Sequence, residues 1–262
     1  MTLITDLADF PAHFWIEPIK DQYIIAGTHR AVDQARAMGR DDAQIFATSG
    51  MILRPDFYVP DDSDPAALRA ELGLQRDLPT AFVLFGGHGS KVMFDITERL
   101  DAAGLTLQLV LICGRNEALA AKLRARKWRI PVNVIGFTKE IHKWMRAADF
   151  LIGKPGPGSI AEAMVRKLPV LIECNSWTLP QERYNAEWVA EKRVGIVLRN
   201  FREVVSGVQR MLDPATLAEF RKNVDVLENR AIFEIPEILN KLLCESAAAK
   251  TSSAGTALQS VR

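Results

Sequence analysis

The chain has 262 residues, 48% of them apolar and 25% charged, and a net charge of +1. That composition is globular, the near-neutral balance excludes a bulk electrostatic affinity for nucleic acid, and the length suits one large domain or one domain plus part of another. No apolar run reaches the ~18 residues of a spanning helix, and the opening Met1-Thr2-Leu3-Ile4-Thr5-Asp6 predicts no secretory leader.

Leu3-Ile4 predicts a short strand, followed by a loop over Thr5–Pro11. Asp21–Ala26 predicts a second strand, Thr28 caps a helix reaching about Met38, and Gln44–Thr48 predicts a third strand. Gly50–Pro60 is irregular and runs into a Pro/Asp-rich linker over 60–65. Three short strands cannot cover both faces of a parallel sheet, so residues 1–60 are expected to be the back part of a domain whose front is missing. Residues 61–244 are expected to form a second, complete domain.

From Ala81 the pattern becomes regular. Short continuous apolar runs at Ala81–Phe85, Leu107–Cys113, Val132–Ile135, Phe150–Ile152, Val170–Ile172 and Ile196–Leu198 suit buried parallel strands. Helical stretches alternate with them: Lys91–Ala103, Glu117–Lys127, Lys139–Ala147, Ser159–Arg166 and Gln181–Lys192. The fold class is therefore α/β, with a doubly wound sheet. Phe201–Leu243 predicts two or three closing helices, and 245–262 a disordered Ala/Ser/Thr-rich tail. Cys113, Cys174 and Cys244 have no metal-type spacing, and their odd, sparse count fits small buried thiols in a reducing compartment.

Ligands of open α/β sheets bind beyond the carboxyl ends of the strands, which singles out three loops. Phe85-Gly86-Gly87-His88-Gly89-Ser90 could let backbone N–H groups approach an anion, or could be a plain strand-to-helix turn; it matches neither a P-loop nor GxGxxG. Lys154-Pro155-Gly156-Pro157-Gly158-Ser159 is more specific. Its helix could carry a capping box, Ser159 with Glu162. Alternatively, Ser159 and the nearby N–H groups hold a phosphate while Glu162 accepts from ribose hydroxyls. In the third, Trp177–Asn185, the residues Gln181, Glu182 and Asn185 share a face and offer amides and a carboxylate to a polyol, or form an ordinary polar first turn.

Together these loops resemble the glycosyltransferase family 28 type of C-terminal domain, that of monogalactosyldiacylglycerol synthases and processive diacylglycerol glucosyltransferases. The blocks that carry the resemblance are Phe85–Ser90, Leu111–Asn116, Ile130–Phe137, Lys154–Ile172 and Gln181–Val189; Thr5–Trp15 and Ser49–Tyr58 are similar to the end of that family's N-terminal domain. The resemblance implies a GT-B enzyme that transfers a hexose from a UDP-sugar to a lipid acceptor, diacylglycerol-like, with inversion. It implies no cofactor and no metal, since donor binding in that family does not use a DxD metal motif. Carried over, Gly87 and Gly89 lie near the diphosphate and Phe137 contacts uracil, although Phe137 also reads as a core aromatic. Gly156, Gly158 and Ser159 hold phosphate, Glu162 the ribose, and Gln181, Glu182 and Asn185 face the diphosphate and sugar.

The family's histidine base would precede residue 1, so no catalytic residue is assigned; Asp9 and His13 do not match its motif. His88, Ser90 and Lys91 also depart from the family pattern in the first loop. Two rival readings follow: a donor-binding fragment or subunit that needs a separate N-terminal domain for turnover, and a UDP-sugar epimerase. Finally, the stretch Arg115–Arg146 holds nine basic residues against Glu117 and Glu140, interleaved with Trp128 and Trp144. It reads as a solvated face or as a peripheral dock on an anionic membrane, which would place the chain at the cytoplasmic face of the cell membrane.

Overall fold

A computed structural model describes residues 1–18, 21–59 and 64–244. Residues 60–63 of the predicted linker and the predicted disordered tail over 245–262 lie outside the described residues.

Two parallel sheets organise the chain. The first is small: β1 (Thr2–Leu3), β2 (Ile24–Ala26) and β3 (Ile45–Ala47) pair in the order β1-β2-β3. Helix α1 (His29–Ala37) joins β2 to β3. Its N-cap is Thr28, whose Oγ1 accepts from the Ala31 N–H at 3.2 Å, as the sequence predicts. Ala31, Val32 and Ala35 form one apolar face of α1 and pack on Ile4, Ile16 and Ile24. Asp9 knots the preceding loop: its carboxylate accepts the His13 and Trp15 N–H groups at 2.9 and 2.6 Å, while Gln34 of α1 bonds its backbone.

The second sheet has six strands: β4 (Thr80–Leu84), β5 (Gln108–Ile112), β6 (Val132–Ile135), β7 (Phe150–Gly153), β8 (Val170–Glu173) and β9 (Gly195–Leu198). All pair parallel, in the order β6-β5-β4-β7-β8-β9. Alternate residues face opposite cores. Phe82 and Leu84 join one cluster, and Ala81 and Val83 the other. Both faces are buried, which is why the strands read as continuous apolar runs rather than alternating ones. Covering helices are α3 (Val92–Ala103), α4 (Glu117–Ala125), α5 (Ile141–Arg146), α6 (Pro157–Val165) and α7 (Pro180–Lys192). The expectation of buried thiols holds for Cys113 but not for the half-buried Cys174 or the exposed Cys244.

A short helix outside the predicted elements, α2 (Pro65–Glu71), starts at the Asp64 cap. It buries Leu68 in the first core cluster and sends Arg69 to Asp149 at 2.7 Å. Then α8 (Val204–Leu212) and α9 (Pro214–Asp225) close the second sheet. The final helix, α10 over 231–244, turns back. Its Ala231 and Ile235 pack on Ile25 of β2, with Leu3 and Phe46 alongside. Around the crossing, Ser49 N and Oγ donate to Glu234 at 2.7 and 3.0 Å, and Asn229 Nδ2 donates to Met51 O at 2.8 Å. Neighbouring chain segments thereby fix the two sheets against each other.

Candidate donor-binding site

The strand order reverses between β4 and β7, and a crevice opens beyond their carboxyl ends. A cavity of about 340 Å³ lies there. From β4 it receives Gly86 and Gly87. From β5 it receives Gly114, whose φ is +57° and whose missing Cβ would overlap the Gly87 carbonyl oxygen. The turn after β6 supplies Phe137 and Thr138, and α6 supplies Gly158, Ser159 and Glu162.

The start of α6 corrects one expectation. The helix begins at Pro157, with Gly156 as an N-cap that has no side-chain cap bond. Proline at the first helical position is preset for φ and has no N–H to satisfy. Ser159 is therefore the third helical residue, and Glu162 is too deep in the helix to bond back to the cap. The capping-box alternative fails on that geometry. The N–H groups of Gly158 and Ser159 belong to the unpaired first turn, and both residues line the cavity. A Cβ added at Gly158 would meet no atom within 4 Å, so this side of the helix is open.

Glu162 is half-buried in the cavity wall, and burial pushes its carboxyl up to about 7, opposed only by Arg54. Arg54 lies within the block Ser49–Tyr58, and no motif marks it as a site residue. It enters the cavity lining from the segment after β3, and its guanidinium donates to Lys139 O at 3.5 Å. Phe137 is 57% exposed, with the Arg115 guanidinium 5.3 Å over its ring. The core-aromatic alternative for Phe137 does not survive that exposure. If the ring stacks on a base, Phe137→Ala should weaken UDP binding about 2- to 10-fold and leave thermal stability unchanged, since stacked aromatic pairs contribute about 0.5–1.5 kcal/mol. Calorimetry and a melting curve read both quantities.

The structure therefore gathers Gly87, Phe137, Gly158, Ser159 and Glu162 around one cavity. Gly89, Gly156, Gln181, Glu182 and Asn185 are outside its lining. Gly89 holds φ +57° against the Cys113 carbonyl. Glu182 and Asn185 point inward from the first turns of α7. Glu182 Oε1 is 2.5 Å from Lys154 Nζ, and the Cβ position of Gly156 is 3.7 Å from the same oxygen. Asn185 is 0% exposed; its Nδ2 donates to Pro155 O at 2.9 Å and Asp6 Oδ1 at 3.4 Å, and its Oδ1 is buried without a partner. Burial raises the Asp6 carboxyl above its ordinary range, against the lowering effect of the Asn185 bond. The segment Lys154–Gly156 thus lies against a buried polar cluster of Glu182, Asn185 and Asp6.

The basic stretch is partly consumed internally. Arg126 pairs with Glu98 at 2.6 Å and Lys143 with Glu140 at 2.7 Å, while Arg124 donates to Val134 O at 3.0 Å. Among the described residues no helix is long and apolar enough to cross a membrane.

Comparison with known proteins adds the following. Residues 80–233 match the glycosyltransferase family 28 C-terminal domain. The chain is 34% identical over 210 residues to a probable monogalactosyldiacylglycerol synthase 3, chloroplastic, of Oryza sativa subsp. japonica, covering 74% of this chain and 39% of the relative. It is 34% identical over 223 residues to the monogalactosyldiacylglycerol synthase of Spinacia oleracea, covering 81% and 41%. The chain thus spans less than half the length of these relatives. Among solved structures, MurG of Acinetobacter baumannii aligns with a TM-score of 0.58 at 13% identity, over 84% of this chain and 73% of that one. HepE of Anabaena, in complex with UDP-glucose, gives 0.55 at 15%, over 87% and 64%. A UDP-N-acetylglucosamine 2-epimerase gives 0.55 at 16%, over 87% and 57%. Likeness at such identities shows the fold, which is α/β of the GT-B type, and the epimerase shares it.

Proposed function

The chain belongs to the glycosyltransferase family 28 C-terminal domain family, and on that premise we propose that it binds a UDP-hexose for inverting transfer of the hexose to the hydroxyl of a diacylglycerol-like lipid. One observation carries this reading. The cavity at the strand-order reversal combines the open first turn of α6, an ionisable Glu162 with no competing hydrogen bond among the described residues, and the exposed ring of Phe137. Such a cavity suits a nucleoside diphosphate: N–H groups and the helix dipole for the diphosphate, a carboxylate for the ribose diol, a ring for the base. We place Arg54 at the diphosphate and Gly87 beside it. Gly89 and Gly156 shape the two loops. Gln181, Glu182 and Asn185 are assigned to the diphosphate and hexose, which requires the Lys154–Glu182 contact to open and the Pro155 carbonyl to move off Asn185.

In the transfer, the acceptor oxygen bonds to the anomeric carbon as the bond to UDP breaks, and the acceptor proton passes to a base. The role of the chain is to orient the donor and stabilise the negative charge that develops on the leaving diphosphate. The names of the relatives support galactose as the hexose and diacylglycerol as the acceptor. Titration of the purified chain with UDP by calorimetry tests the donor site; absence of saturable one-to-one binding would remove this reading.

A second reading is favoured by the same lining. Only Arg54 and Glu162 are ionisable there, and Glu162 is assigned to the ribose. A chain that binds the donor but draws its base from another segment would bind UDP normally and form glycolipid at least about 100-fold more slowly than one with a base in place. Mass spectrometry of products from UDP-hexose, diacylglycerol and the 262-residue chain separates the two: rapid glycolipid synthesis would eliminate the second reading. With a lipid acceptor, we also propose peripheral contact with an anionic membrane surface.

A further inference from the structure

The loop between β8 and α7 holds an indole out in water. Trp177 is 93% exposed and Leu179 is 49% exposed. The loop is nevertheless tightly bonded. Trp177 N donates to Asn175 Oδ1 at 2.9 Å, Asn175 N to Thr178 Oγ1 at 3.0 Å, and Thr178 N to Asn175 O at 3.1 Å. The Arg183 guanidinium donates to the Ser176 and Thr178 carbonyls, each at 3.3 Å. Asn175 Nδ2 reaches Arg199 O at 3.1 Å and ties this loop to the one after β9. Arg199 and Arg202 on that second loop are exposed, and among the described residues no carboxylate pairs with either.

The two tryptophans of the basic stretch are placed otherwise. Trp128 stacks edge-on against Phe94 at 5.7 Å and donates its ring N–H to Leu123 O, and Trp144 packs on the first core cluster. Neither is presented as an anchor. An exposed indole on a tightly bonded loop, beside an exposed leucine and unpaired arginines, has the chemistry of a bilayer interface: indole settles at headgroup level and cations meet anionic headgroups.

We propose that Trp177 and Leu179 are the point at which this chain enters an anionic bilayer, with Arg199 and Arg202 on the headgroup phosphates. This rests on the lipid-acceptor reading above and names the element that makes the contact. The loop lies on the carboxyl-end edge of the sheet, the same edge on which the ends of β4 and β7 frame the donor cavity. Insertion there brings the cavity to the membrane surface, where a diacylglycerol-like acceptor stays.

The test uses the full chain with phosphatidylcholine vesicles, with and without phosphatidylglycerol, carrying bromine-labelled acyl chains. Wild type should co-sediment with the anionic vesicles, and its tryptophan emission should shift to the blue and be quenched. Trp177→Ala should bind at least about tenfold more weakly and lose most of the quenching, with UDP affinity in the absence of vesicles unchanged. Arg199→Ser with Arg202→Ser should keep the quenching at low salt and lose the preference for anionic lipid. If Trp177→Ala binds and is quenched like wild type, the entry point is elsewhere while membrane contact itself stands. If wild type binds no vesicle, both ideas fail. If Trp177 emission responds to soluble saccharide and not to vesicles, the indole is a sugar platform and this proposal is overturned.

Discussion

Gly158→Ala is expected to make the protein more stable and the donor site worse. Gly158 sits at the second position of α6 with an ordinary backbone conformation, and a Cβ there meets no atom within 4 Å. Replacing glycine by alanine where the backbone permits it restricts the unfolded chain and stabilises by about 0.4–1 kcal/mol. For a chain of this size that raises the melting temperature by roughly 1–4 °C. The new methyl, however, extends from the first turn of α6, which lines the cavity, into space that is now open. A diphosphate held there loses at least one charge-assisted hydrogen bond, each contributing about 1.5–3 kcal/mol, so UDP affinity should fall roughly 10- to 150-fold. Melting curves and calorimetry on the same preparation decide it. Raised stability with unchanged UDP affinity would show that the open side of α6 is not the phosphate seat.

Why the glycine was legible and the helix start was not is a matter of local against tertiary information. Gly86, Gly87, Gly156 and Gly158 stand out in the sequence because glycine and proline dictate backbone shape directly. The six buried strands were equally plain, because burial on both faces demands continuous apolar runs. The start of α6 is not legible in the same way, because Ser159-Ile160-Ala161-Glu162 is a good capping box taken alone, and Pro157 displaces Ser159 as the first helical residue. Arg54 could not be found by pattern at all. It reaches the cavity from the segment after β3, and only the packing of Met51, Leu53 and Phe57 on the second sheet delivers it. The inward turn of Glu182 and Asn185 has the same origin. Their i, i+3 spacing puts them on one helix face, but which way the face points depends on Lys154, Pro155 and Asp6 being there to receive them. Helix α2 escaped because seven residues within a Pro- and Asp-rich stretch give too little periodicity to read.

Glu162→Gln is expected to change both stability and donor binding, with opposite signs and a shared pH dependence. Burial raises the Glu162 carboxyl from its ordinary 4.5 to about 7, so the fold favours the protonated form. Between those two values the folded chain holds a proton that the unfolded chain has released, and wild-type stability falls as pH rises. Above about 7 both states are ionised and the loss is complete, on the order of 3 kcal/mol from the size of the shift. A neutral glutamine escapes that cost. The variant should match wild type near pH 4.5 and exceed it increasingly up to pH 7, after which the gap stays level. Donor binding runs the other way. The ionised carboxylate is the stronger acceptor for the ribose hydroxyls, so wild-type affinity for a UDP-hexose should climb as pH passes through 7, while the affinity of the variant stays flat. Above that pH wild type should bind roughly 10-fold or more tightly, the magnitude of a charge-assisted hydrogen bond. UDP-hexose is the right probe because its diphosphate diester does not titrate in this window. Calorimetry in two buffers of different ionisation enthalpy should also register proton release on binding to wild type and none on binding to the variant. Equal affinities at every pH, together with the expected stability gain, would leave Glu162 a buried carboxyl with no ribose to bind.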